Sequence, residues 1–83
     1  MKILPIHPEL TIYLTARNLL KKFNKQKRLF ENNPFHPSLH TEVLEPRHLR
    51  IYSFRVDRRY RAIFIYRGSG VAEIIDINSH YNN

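Results

Sequence analysis

Cysteine and tryptophan are absent from this 83-residue chain. Without cysteine there is no disulfide framework and no thiolate zinc site. No apolar stretch approaches the roughly 20 residues that a bilayer-spanning helix needs. Residues 1–5 have one charge and a very short apolar run, which is not the pattern of a signal peptide. The sequence therefore predicts a single cytoplasmic domain over residues 1–83, with no membrane segment.

Acidic residues are scarce as well, with seven Asp and Glu against 14 Lys and Arg, so the net charge is +7. Half of the basic residues are arginines between Arg47 and Arg67, and Asp57 is the only acid in that span. A positive excess of this size attracts polyanions, and arginine suits bidentate contact with phosphate. The composition therefore favours a polyanionic partner, RNA above all, over a merely soluble basic protein.

Apolar periodicity predicts helices in the first part of the chain. Residues 1–7 can form a short strand, and helices are predicted at residues 8–17 and 19–32, with a bend near Asn18. The second helix carries a basic side made of Lys21, Lys22, Lys25 and Arg28. A solvated face is the commoner explanation for such a side, and a binding surface is the alternative.

After a turn-rich break at residues 32–38 the apolar period changes to two, which is typical of strands. The predicted strands cover residues 41–45, 49–57, 60–67 and 71–77. Short connections between successive strands imply an antiparallel meander. Helices followed by strands make the predicted fold class α+β.

Two arginines are predicted to face each other across the central hairpin. The turn lacks the Asn-Gly or Gly-X pair that two-residue hairpins prefer, so a three-residue loop is expected, and this loop sets Arg55 opposite Arg61. Adjacent guanidinium groups repel unless an anion lies between them. The pair is therefore predicted to bind phosphate, and the alternative is that these arginines pair with Asp57 or Glu73.

Groups suited to acid–base chemistry occur near the end of the chain and after the break. His80 and Tyr81 can both move protons, and Tyr81 can also stack on a base. Glu42 is a candidate site residue only if folding brings it near Arg61 and His80. The remaining histidines have no metal-ligand spacing and no nearby carboxylate cluster, so no metal site is predicted.

Three segments together resemble the RelE/ParE toxin superfamily of bacterial type II toxin–antitoxin systems. They are NPFHPSL at residues 33–39, YSFRVDRRYRAIF at residues 52–64, and the stretch at residues 74–81. The similarity covers nearly the whole chain. It implies an N-terminal strand and a two-helix hairpin packed on a small antiparallel sheet, in agreement with the α+β prediction.

The ending His80-Tyr81 is similar to the RelE/YoeB-like branch, whose members cut mRNA in the ribosomal A site. This resemblance implies a ribosome-dependent, metal-independent endoribonuclease without cofactors, an mRNA interferase that inhibits translation and arrests growth. It also implies three partners, namely mRNA, the ribosome and a small, acidic, partly disordered antitoxin. The alternatives are a non-nucleolytic toxin that inhibits DNA gyrase and an inactive basic RNA-binding module of the same fold.

The same resemblance assigns the site residues. Glu42 or His80 is the base or the acid for attack by the RNA 2′-OH, and Arg61 with Arg55 is the phosphate clamp. Tyr81 stacks on or orients the RNA. The other predicted phosphate contacts are Arg47, Arg58, Arg59, Lys22 and Lys25.

Overall fold

The computed structural model describes residues 1–79, and these form an α+β fold, as predicted. In chain order the elements are β1 (Lys2–Ile3), α1 (Pro8–Ala16), α2 (Leu20–Asn32), β2 (Glu42–Val43), β3 (Tyr52–Arg55), β4 (Arg61–Tyr66) and β5 (Val71–Asn78). Single 3₁₀ turns, Pro37–Leu39 and Arg47–Leu49, precede β2 and β3. Both helices follow their predicted ranges closely, and neither is long and apolar enough to cross a bilayer.

The five strands form one sheet in the order β1-β5-β4-β3-β2. Strands β2 to β5 make the predicted antiparallel meander, whereas β1 pairs with β5 in parallel and makes the sheet mixed. The predicted strand at 49–57 is shorter in the structure. The reason is that the 3₁₀ turn Arg47–Leu49 ends in Arg50, whose φ of 55° turns the backbone out of the extended region.

Two His-Pro pairs begin helical turns. His7 Nδ1 accepts a hydrogen bond from the backbone N–H of Glu9 at 3.1 Å, and Pro8 occupies the first position of α1. His36 Nδ1 accepts from the N–H of Ser38 at 3.2 Å in the same way. A side-chain acceptor before the first turn satisfies an N–H that has no partner within the helix, and proline there has no N–H to satisfy. Both histidines therefore have a structural role.

The predicted bend between the helices is centred on Asn18, whose φ of 60° lies in the left-handed region. Asparagine tolerates that region better than most residues. The N–H of Leu19 then bonds to the carbonyl of Leu14 at 2.8 Å, which closes the end of α1 before α2 starts. Both leucines are buried in the core.

The core lies between the helices and one face of the sheet, and aromatic rings dominate it. The Phe30 ring of α2 lies 5.2 Å from the Phe54 ring and 5.0 Å from the Phe64 ring, measured between centroids. All three side chains are fully buried, and each such burial contributes roughly 1.5–3 kcal/mol. Strand alternation directs Ser53, Arg61 and Ile63 to the opposite face. We call this face, turned away from the helices, the outer face.

The β1 edge of the sheet is closed by a carboxylate from α2. Lys2 and Leu4 donate their N–H groups to the carbonyls of Gly70 and Ala72, so the N–H of Ile3 points away from the sheet. Glu31 Oε2 accepts from that N–H at 2.9 Å. Occupying a free edge donor protects a sheet against pairing with another chain.

We expect Glu31→Ala to lower the free energy of unfolding by about 1–2 kcal/mol, because it leaves the Ile3 N–H without its charged acceptor. Glu31→Gln keeps an oxygen acceptor and is the matched control, with a smaller loss. Urea denaturation measures both variants, and hydrogen exchange of the Ile3 amide reports the edge directly. Equal stability of the wild type and Glu31→Ala would contradict this role.

Candidate active site

Pairing of the strands brings Glu42 and Arg61 together on the outer face. Glu42 of β2 is the register partner of Ser53 on β3, and Arg61 begins the next strand, β4. Glu42 Oε1 lies 3.6 Å from Arg61 Nη2. The sequence set the condition that Glu42 should lie near Arg61 and His80. The geometry meets the part that concerns Arg61, and His80 lies outside the described residues.

The guanidinium of Arg61 is fixed by the backbone and one hydroxyl. Its Nε donates to Ser53 Oγ at 2.8 Å, and its Nη2 donates to the carbonyls of Ser53, at 3.4 Å, and of His40. The side chain is only 6% exposed, whereas that of Glu42 is 61% exposed. The donors of Arg61 that face Ser53 and His40 are therefore already used.

Burial lowers the pKa of Arg61 below its ordinary value, the Glu42 carboxylate acts to raise it, and the Arg55 charge acts to lower it further. A guanidinium nevertheless stays protonated in proteins at neutral pH. A buried charge is tolerated only when it is paired and hydrogen-bonded. The site therefore holds a fixed positive charge beneath an exposed carboxylate.

Arg55 and Arg61 are register partners, as predicted. The predicted three-residue loop is also confirmed, because the N–H of Val56 bonds to the carbonyl of Tyr60 at 2.9 Å and leaves residues 57–59 to make the turn. Arg55 is half-buried. Two cations thus stand side by side at the turn end of the hairpin.

The alternative pairing of these arginines is not what the structure has. Asp57 Oδ2 lies 3.6 Å from Lys22 Nζ, and Glu73 Oε1 lies 2.6 Å from Arg67 Nε. Among residues 1–79, the carboxylate that neighbours Arg61 is that of Glu42.

The break at residues 32–38 leads into the site. The 3₁₀ turn Pro37–Leu39 ends in His40, whose φ of 46° is left-handed, and the His40 carbonyl accepts from Arg61. Leu39 is fully buried and anchors the turn, and Thr41 Oγ1 donates to the carbonyl of Pro34 at 2.6 Å. The segment that divides helices from strands is therefore also the segment that places Glu42.

Sequence reasoning missed Ser53 and the carbonyl of His40. The sequence did contain a signal for Ser53, because a serine within a buried strand needs a hydrogen-bond partner. Arg61 on the next predicted strand was a candidate donor. The carbonyl had no such signal, since any residue supplies one.

Apart from the Glu42–Arg61 pair, a cleft of about 630 Å³ lies where the α1–α2 bend meets the β3–β4 turn. Its basic lining contains three of the predicted phosphate contacts, Lys22, Arg58 and Arg59, together with Arg17. Arg17 is held in place, with its guanidinium carbon 3.6 Å from the centre of the Tyr13 ring and its Nη1 donating to the Tyr13 carbonyl at 3.3 Å. We call this the basic cleft.

The other predicted contacts are dispersed. Lys25 is exposed on α2, and Arg47 is exposed on the 3₁₀ turn before β3. Neither lines the basic cleft.

His80 and Tyr81 lie outside the described residues, and Asn78, two positions before His80, is the register partner of Arg61.

Asp57 organises the turn that carries Arg58 and Arg59. Its Oδ1 accepts from the N–H groups of Arg59 and Tyr60, each at 2.8 Å. Burial acts to raise the pKa of Asp57, but these two hydrogen bonds and the charge of Lys22 outweigh it, so the pKa lies below the ordinary 3.8. The ionised form is therefore the one that the fold stabilises.

A lowered pKa in the folded state stabilises the protein above the pKa of the unfolded chain, and this contribution is lost as the pH falls through the folded pKa. We expect Asp57→Asn, which keeps an oxygen acceptor, to be less stable than the wild type at about pH 6 and to approach it as the pH falls through the folded pKa of Asp57, which lies below 3.8. Urea denaturation over a pH series measures the difference. A difference that does not change with pH would show that the carboxylate charge has no role in the turn.

No protein-family model matches the sequence, and no curated protein matches it. Solved structures do match. A YoeB/ParE toxin from Agrobacterium tumefaciens superposes with a TM-score of 0.73 at 22% identity, over 98% of this chain and 100% of that one. A heterotetrameric YoeB–YefM toxin–antitoxin complex from Staphylococcus aureus gives 0.69 at 19% identity, over 96% of this chain and 94% of that one.

These matches extend over nearly the full length of both chains, so they include the helices, the sheet and the segment that carries Glu42. A second YoeB–YefM complex from Staphylococcus aureus matches equally well, with a TM-score of 0.69. The chain therefore has the fold of the YoeB/ParE toxins, and the resemblance to the RelE/ParE toxin superfamily is confirmed at the level of the fold.

Proposed function

We propose that this chain is the toxin of a type II toxin–antitoxin system and that it cleaves mRNA in the ribosomal A site. One observation carries the proposal: an exposed carboxylate, Glu42, is held 3.6 Å from the buried guanidinium of Arg61. The fold shared with YoeB/ParE toxins and the charge of +7 support the same function.

The proposed reaction uses the 2′-OH of the RNA as nucleophile. Its oxygen attacks the adjacent phosphorus while a base takes its proton, and the 5′ oxygen leaves with a proton from an acid. Glu42 and His80 are the proposed base and acid, in either order. Because no water enters, the products are a 2′,3′-cyclic phosphate and a free 5′-OH.

Arg61 serves this reaction as a fixed charge. Negative charge increases on the phosphoryl oxygens as the phosphorane forms, and a preorganised cation stabilises it without reorganising. The hydrogen bonds to Ser53 and His40 supply that preorganisation. Arg55, its half-buried neighbour, is the more accessible of the two cations and the proposed direct contact to phosphate.

A site of so few groups is expected to be slow on free RNA. Correct orientation of reacting groups can contribute several orders of magnitude to a rate. The ribosome would supply it by holding the mRNA backbone in line with the 2′-OH. Tyr81 is proposed to stack on or orient the base.

The basic cleft is the proposed contact for further RNA phosphates. Lys22, Arg58 and Arg59, with Arg17, place several cations around one cavity. Lys25 and Arg47 are proposed to add long-range attraction, since both are exposed.

The proposed protein partner is a small, acidic, partly disordered antitoxin. Two of the similar solved structures are complexes of a YoeB toxin with YefM. An acidic segment that folds on binding would complement the positive field of this chain. Such a segment would compete with RNA for the same cations.

We expect Glu42→Gln to lower the cleavage rate by about 10²–10⁴-fold, because it removes a proton-transfer group. The Glu42 side chain is 61% exposed, so the melting temperature should stay near that of the wild type. Primer extension on an mRNA in a reconstituted translation reaction measures cleavage as new stops at the A site. Glu9→Gln, an exposed acid at the start of α1, is the control and should cleave normally.

Wild-type stops that also arise when ribosomes are omitted would contradict ribosome dependence. Intact mRNA with active ribosomes and folded protein would overturn the nuclease function, and a DNA gyrase supercoiling assay would then test the non-nucleolytic alternative. Arg61→Ala is a weaker probe than Glu42→Gln, because it leaves a cavity and unpaired acceptors in a buried site.

Removing one phosphate contact should change the salt dependence of RNA binding. We expect Arg59→Gln to make the slope of log K against log salt shallower by about 0.7–0.9. Lys2→Gln removes the same charge beside the β4–β5 turn, at the far end of β4, and should leave the slope near its wild-type value. Equal slopes for the two variants would exclude a specific role for the basic cleft.

A further inference from the structure

Ser53 stands out among the buried side chains of β3. Within residues 1–79 three polar side chains are buried, those of Gln26, Ser53 and Arg61. Ser53 is fully buried, and its Oγ accepts from Arg61 Nε at 2.8 Å. Its carbonyl also accepts from Arg61 Nη2, at 3.4 Å. One residue therefore receives two of the described hydrogen bonds of the guanidinium.

Ser53 also connects the two halves of the site through the sheet. It pairs with Glu42 of β2 on one side and with Ile63 of β4 on the other. The distance between the Glu42 carboxylate and the Arg61 guanidinium therefore depends on the position of Ser53. The His40 carbonyl holds Nη2 from the loop side, which leaves Ser53 as the side-chain partner of Nε.

We propose that Ser53 is a positioning residue that fixes the plane of the Arg61 guanidinium relative to Glu42 and the reacting phosphate. The inference rests on the proposed nuclease function. An arginine side chain has several rotatable bonds, and a bond at Nε constrains the last of them. Losing that constraint lets the charge move away from the place where the phosphorane forms, and displacements of about 1 Å can cost 10²-fold in rate.

A purely structural role makes a different prediction. If Ser53 only fills space and satisfies a donor, its loss lowers stability and leaves the turnover of the folded protein unchanged. A positioning role lowers kcat and leaves KM nearly unchanged, because RNA binding depends mainly on the exposed cations.

The first experiment measures kcat and KM for ribosome-dependent mRNA cleavage by Ser53→Ala and Ser53→Thr. We expect Ser53→Ala to lower kcat by about 10–100-fold with KM within about twofold. Ser53→Thr retains the hydroxyl and should restore most of kcat. Ile74→Val, a small core change on the helix side of the sheet, is the control that lowers stability without touching the site.

The second measurement needs no activity. In ¹⁵N NMR spectra, the Arg61 Nε–H should exchange slowly with water in the wild type and in Ser53→Thr, because it is buried and bonded to an oxygen. In Ser53→Ala we expect the exchange to be about tenfold faster or more. The reason is that the variant loses one hydrogen bond, and a tenfold change corresponds to about 1.4 kcal/mol.

The outcomes separate the two proposals. A wild type that does not cleave overturns the nuclease function, while the exchange rate still decides whether Ser53 holds Arg61. Unchanged kcat in folded Ser53→Ala beside an active wild type overturns the positioning role, and so does equal exchange in both proteins.

Discussion

Burial of the Arg61 charge is the constraint on which the outer face depends. The side chain of Arg61 is 6% exposed and must be met by acceptors, and three residues supply them. Ser53 provides a hydroxyl and a carbonyl, His40 a carbonyl, and Glu42 a carboxylate. Moving any of these elements would take an acceptor away from the buried charge, so the contacts that build the site also support the fold.

The loop between α2 and β2 has a definite task under this constraint. It must bring a carbonyl to Arg61 and, two residues later, start the strand that carries Glu42. The left-handed His40 makes this turn, and buried Leu39 holds it against the core. Aromatic packing of Phe30 on Phe54 and Phe64 in turn fixes the strands that the loop must meet.

Patterns of neighbouring residues in the sequence predicted those structural features that depend on neighbouring residues. Periodicity located both helices, and alternation with a three-residue loop predicted that Arg55 faces Arg61. The burial of Arg61 could not be predicted, because its partner carbonyl lies 21 residues away and carries no sequence signature. Parallel pairing of β1 is equally non-local. The roles of His80 and Tyr81 stay predictions that rest on the resemblance alone.

The Glu42–Arg61 pair and the basic cleft lie at different places on the β3–β4 hairpin. Arg61 and Glu42 are on the outer face, whereas the basic cleft is formed by the α1–α2 bend and the turn at residues 57–59. An RNA that contacts both must therefore pass this turn, where Asp57 holds the backbone of Arg59 in place. Since the proposed reacting groups are few and the proposed RNA contacts lie on two parts of the surface, a flexible strand would lose much entropy on binding. A strand already held in a bent path by a larger assembly does not, which is the physical reason to expect the proposed cleavage to need the ribosome.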